Sequence, residues 1–187
     1  ALAGGGAEMV ARLMVERMEG SACVLFENDA DIAVSGKEIH VALVRWKNNF
    51  AITLMVNVWR LVVIQWVKLK YRPMVTISHL EGPNIFNVLT CFGGRKVLFV
   101  HNRVSQSYQS GVGVDQIKLR LVRALYHRAD KIAGVSEEVC EELIKSYNVD
   151  RDKVVFLQNP VNRLAIWEES NRTYGDFRDR ILEGEYI

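Results

Sequence analysis

The chain has 187 residues, an apolar share of 49%, a charged share of 25% and a net charge of +2. That length fits one domain with a short tail, the apolar share suffices for a packed core, and the near-balanced charge excludes nucleic-acid binding driven by bulk charge. Cys23, Cys91 and Cys140 are odd in number and lack metal-ligand spacing, so the expectation is free, buried thiols in a reducing compartment, with no disulfide framework and no metal site.

Gly4, Gly5 and Gly6 precede a run in which Met9, Val10, Leu13, Met14 and Met18 recur at helical spacing, with Gly20 as its stop. A glycine turn ahead of a helix offers backbone N–H groups, and a partial positive charge of about half a unit, to an anion. Glu8 falls in the first turn of that helix, where its charge suits the dipole without any further role. Residues 22–26 read as a strand, 29–37 as a loop and 39–44 as a second strand ending at Arg45 and Trp46. Asn48 or Asn49 is placed to cap the long helix that follows.

Residues 50–67 form the longest apolar stretch, interrupted by Asn57, Arg60 and Gln65. A central arginine costs about 2.5 to 3.5 kcal/mol in a membrane span, so this stretch reads as a long helix with a broad apolar face, packed on the sheet or partly touching lipid. Pro73 stops it, residues 74–77 form a strand ending in Ser78 and His79, and a Gly82-Pro83 turn leads to a short helix over 84–92.

Three apolar runs then end in polar clusters: residues 96–100 before His101 and Asn102, residues 131–135 before Ser136, and residues 153–157 before Gln158, Asn159 and Pro160. Between them lie amphipathic helices over 117–130 and 137–147. This β-α-β-α-β pattern predicts an α/β fold, a Rossmann-like three-layer α/β/α domain with a mainly parallel sheet, and such sheets bind ligands at the carboxyl ends of their strands. Lys118, Arg120, Arg123, Arg128 and Lys131 make the first of those helices basic, either a solvated face or one suited to an anionic membrane or a pyrophosphate-bearing acceptor.

The same residues resemble the N-terminal half of GT-B fold glycosyltransferases of family 4. The resemblance rests on Val-Leu-Phe-Val-His-Asn at 97–102, on residues 125–137 running through Ala129-Asp130 to Val135-Ser136, and on residues 152–162, where Asn162 stands in place of the family's aspartate. The Gly-Gly-Ala-Glu loop at residues 5–8 is similar to the one that opens the family's first helix. The resemblance implies an acceptor-binding domain of a retaining, hexosyltransferase-type enzyme that moves a sugar from a nucleotide-sugar donor to a hydroxyl, sugar or lipid-linked acceptor. It implies His101 as the catalytic residue, Gly4, Gly5 and Gly6 near the donor diphosphate and acceptor, and Ser78, His79, Asn102, Arg103 and Ser136 around the acceptor. No cofactor and no metal are required, since the nucleotide-sugar is itself the substrate. His40 and His127 read as structural.

Residues 1–162 are then the Rossmann-like domain and 163–187 a charged linker or tail, with the first strand and the C-terminal donor domain expected elsewhere and the isolated domain inactive. The expected location is cytoplasmic, peripheral at the membrane face, because no charged segment precedes an apolar run as in a signal peptide. Two other readings compete. Gly4, Gly6 and Met9 half-match a dinucleotide fingerprint, with Glu27 or Asp29 about 20 residues on as the ribose acid of an NAD(P)-dependent oxidoreductase. The other is a non-catalytic sugar- or acceptor-binding module.

Overall fold

The computed structural model describes residues 6–26, 39–41, 50–107, 114–160, 167 and 170. Helix α1 (Gly6–Arg17) leads to strand β1 (Cys23–Leu25), which pairs in parallel with β2 (Ile39–Val41) in a small sheet of its own. Helix α2 (Phe50–Tyr71) stops just before Pro73, as a residue ahead of proline disfavours the helical region. Strand β3 (Val75–His79), helix α3 (Glu81–Leu89) and strand β4 (Arg95–Val100) follow, then a one-turn helix α4 (Val104–Ser107) and helix α5 (Val114–Leu125). A 3-10 turn (Tyr126–Arg128) delivers strand β5 (Lys131–Gly134), helix α6 (Glu137–Tyr147), a second 3-10 turn (Arg151–Lys153) and strand β6 (Val154–Phe156).

Strands β3, β4, β5 and β6 form one parallel sheet in chain order, so each returns through a helix to lie beside its predecessor. The α/β, Rossmann-like expectation is met. Side chains alternate along a strand. Leu98, Val100 and Ile132 therefore point together into a core closed by Ile85 and Val88 of α3, Val122 and Leu125 of α5, and Val139 and Leu143 of α6. Phe99 points the other way and is also buried.

Backbone ends are satisfied locally. Asp130 accepts from the Lys96 backbone N–H at 2.7 Å and its own N–H donates to the Lys96 carbonyl at 3.0 Å, which lines up the starts of β4 and β5. Helix α6 ends at Asn148 in the left-handed region, φ 52° and ψ 40°, where asparagine is tolerated better than a branched residue. Gly94 has φ +63°, and a Cβ there would lie 1.9 Å from the Met74 carbonyl oxygen, so the turn into β4 admits only glycine.

Several expectations are corrected. Gly82 and Pro83 are not a turn but part of the first coil of α3, where a proline forfeits no helical hydrogen bond because the first N–H groups have no partner in the helix. The helix expected over 117–130 starts three residues earlier and tightens into the 3-10 turn at Tyr126. Helix α4 was not foreseen. Cys91 is exposed rather than buried, while Cys23 and Cys140 are partly buried; all three are free.

Candidate functional site

The pairing of β3 with β4 sets His79 directly beside Phe99, and alternation puts His101 two residues further on the same face. The three rings form a triangular cluster of near-parallel planes: His79 and Phe99 with centroids 4.8 Å apart, His79 and His101 at 5.3 Å, and Phe99 and His101 at 6.2 Å. Nδ1 of His79 and Nε2 of His101 are 3.0 Å apart, so one of these nitrogens carries the hydrogen and the other accepts it. Asn159, just beyond β6, bears on the His101 ring. Three strand ends therefore contribute to one polar rim at the carboxyl edge of the sheet.

Electrostatics keeps this rim uncharged. Burial, reinforced by the neighbouring His101 ring, lowers the His79 pKa from 6.5 to about 4. Burial also lowers that of His101, opposed in part by the nearby Asn159 side chain. Both imidazoles are neutral at pH 7. Among the described residues neither His101 Nδ1 nor Asn159 Oδ1 makes a well-formed hydrogen bond, although both are buried. One tautomer pair serves both: His79 Nδ1–H donating to His101 Nε2, and His101 Nδ1–H turned toward Asn159 Oδ1. His79 Nε2, which has no hydrogen bond among the described residues, is then left as an acceptor.

The loop after His101 is held from below. The Glu142 carboxylate, buried on α6, accepts from the backbone N–H of Val104 at 2.8 Å and of Ser105 at 3.2 Å, capping α4 and fixing the chain that carries His101. A Cβ at Gly134 would lie 2.6 Å from Cys140 Sγ, so glycine is what lets α6 approach the end of β5 and bring Glu142 within reach. Neither Glu142 nor the partnership of Asn159 with His101 was foreseen. A carboxylate at a buried position of an amphipathic helix was the available signal for Glu142.

The other sequence candidates separate. Ser78 alternates away from His79: its side chain is buried against α3 and accepts from Asn87 Nδ2 at 3.1 Å, so it does not face the same rim. Asn87 also accepts from Lys68 Nζ at 2.7 Å, and burial lowers the Lys68 pKa from 10.5 to about 8. Ser136 caps α6, its Oγ accepting from the Val139 N–H at 3.3 Å, which accounts for it structurally. Asn102 and Arg103 are exposed on the loop above His101. Gly6 opens α1, while Gly4 and Gly5 lie outside the described residues, as do Glu27, Asp29, Asn48, Asn49 and Asn162. His127 is exposed on its 3-10 turn and uses its backbone carbonyl to accept from Lys153 Nζ at 2.6 Å. No cluster of metal-binding side chains occurs among the described residues.

A parallel α/β domain with polar side chains gathered at the carboxyl ends of its strands defines a Rossmann-like domain. The profile of Glycosyltransferase Family 4 matches residues 4–163, and the chain belongs to that family. No curated protein matches it. The family profile spans the glycine loop and all the later blocks, which a dinucleotide oxidoreductase reading leaves unexplained.

Proposed function

We propose that this domain holds the acceptor in a retaining glycosyltransferase that moves a sugar from a nucleotide-sugar to a hydroxyl on a sugar or lipid-linked acceptor, a second domain holding the donor. The observation that carries this reading is the neutral cluster of His79, His101 and Asn159 at the carboxyl edge of a family 4 glycosyltransferase domain. A neutral imidazole offers one donor and one acceptor at fixed positions, which suits orienting a hydroxyl rather than neutralising a phosphate. His101, anchored toward Asn159, sets the tautomer of His79, and His79 Nε2 accepts a hydrogen bond from the acceptor hydroxyl. Orientation of two reactants and electrostatic stabilisation of the departing diphosphate are then the work of the cleft, the latter resting on the glycine loop at Gly4, Gly5 and Gly6. Asn102 and Arg103 border the acceptor on the exposed side; no metal takes part.

The test is sugar transfer by a form carrying the donor domain, with His79→Ala and His101→Ala each expected to lower turnover by roughly 10²-fold or more. Normal turnover in either variant would remove that residue from the site. For this chain alone, titration should show acceptor binding with weak nucleoside diphosphate binding; tight NAD binding would overturn the reading.

A further inference from the structure

Helix α2 carries apolar side chains on its outward face as well as its inward one, unlike an ordinary surface helix. Met55, Val58, Trp59, Val62, Trp66 and Leu69 recur at spacings of three and four, and all six are about half exposed or more, Met55 at 72%. The opposite face is turned to the protein, where it buries Ile64 and Val67 and also carries polar groups. Lys68 is buried with its Nζ on Asn87, the Arg60 guanidinium lies 5.0 Å from the centroid of the Phe26 ring, and Gln65 on the flank exchanges hydrogen bonds with the backbone of Cys91.

Length adds a second observation. At 22 residues α2 is about 33 Å long, whereas β3 has 5 residues and spans roughly 17 Å. Its C-terminal turns are fastened at the amino ends of β3 and β4, through Lys68, Gln65 and the Pro73 turn. Because α2 leads back into β3 through the Pro73 turn, its excess length lies at the amino-terminal end of the helix, away from that fastening. Burial agrees: Ile64, Val67 and Lys68 are the buried residues of α2, all in its last two or three turns.

From this we infer that the outward stripe of α2 is a membrane-docking surface that lies in the interface of an anionic bilayer. Charge selects lipid over a protein partner. The helix contains no Asp or Glu, Lys70 and Arg72 flank the end of the stripe, and Lys70 Nζ sits 5.2 Å from the centroid of the Trp66 ring, so aromatic and cationic groups meet at one level as they do at a headgroup boundary. Ala51–Tyr71 is long and apolar enough to cross a membrane. A span is nevertheless excluded by the polar groups that the rest of the domain holds, because a spanning helix would have to give up those contacts. Lying flat, the helix holds the domain against lipid, so a lipid-linked acceptor would reach the domain without leaving the bilayer surface. The docking surface itself does not depend on the proposed transfer reaction.

Flotation of this chain with phosphatidylcholine vesicles, with and without phosphatidylglycerol, is the experiment. Binding to the anionic vesicles is expected, weakening with salt, and falling by roughly tenfold or more in Met55→Glu/Val58→Glu. Trp fluorescence of the wild-type chain should be quenched by brominated acyl chains, a measurement that stands even if the variant fails to fold. Absence of vesicle binding, binding unchanged in a folded variant, or a wild-type dimer that the variant turns into a monomer would each overturn the inference. Because no sugar is transferred, failure here leaves the glycosyltransferase reading untouched, and failure of the transfer assay leaves this one untouched.

Discussion

The two faces of the four-stranded sheet differ in what they leave unfinished. On one, Leu98, Val100 and Ile132 meet three helices in a closed apolar core with almost no exposed surface. On the other, the alternate residue Phe99 supports His79 and His101, whose rim retains buried polar atoms without a well-formed partner. Neighbouring residues on one strand thus serve the closed core and the polar rim separately, and each can be attacked without the other.

The largest effect belongs to the closed face and its borders. Gly94→Val should cost more than about 4 kcal/mol in urea denaturation, since it combines a left-handed backbone with a collision against the Met74 carbonyl. Leu143→Ala, emptying a fully buried position, should cost about 3 kcal/mol. Both are expected to lower the midpoint without altering acceptor affinity per folded molecule.

Acid probes the open face. Because His79 has a folded pKa of about 4 against 6.5 unfolded, the unfolded chain binds more protons between these values. Stability should fall as pH drops from 6.5 to about 4, by on the order of 2 to 3 kcal/mol, and this contribution should level off below. Measured against pH, His79→Asn should lose that part of the slope; an unchanged slope would place the ring in solvent rather than against Phe99 and His101.

Smaller effects sharpen the link between the faces. Glu142→Ala should cost about 1 to 3 kcal/mol by leaving the Val104 N–H unpaired, and it should weaken acceptor binding more than Leu143→Ala does, because it frees the loop after His101. Ser136→Ala should cost about 1 kcal/mol as a lost cap, with acceptor affinity unchanged. A large affinity loss in Ser136→Ala would return that serine to the site.

Much of this was legible in the chain. The apolar runs at 96–100 and 131–135 read as buried strands, and the spacing in 137–147 as a helix, which the structure caps at Ser136 and Asn148. The strand-end position of His101 followed from the same pattern. Pro83 misled because a proline marks a turn and a first helical coil equally well. Adjacency in sequence groups Ser78 with His79, whereas the pleat sends neighbours to opposite faces. Glu142 and Asn159 lie 41 and 58 residues from His101, and spacing that long carries no contact information.

By itself the sequence determined the periodicities, and with them the parallel α/β class and the family, because burial of apolar side chains at spacings of two or 3.6 is a local property of the chain. Tertiary structure alone decided which polar groups share a site. The register of β3 on β4 brought two imidazoles to 3.0 Å, burial removed their charge, and anchoring α2 at one end turned its apolar stripe outward. Those outcomes depend on how distant segments pack, and packing energies are set by pairs that no single stretch of sequence contains.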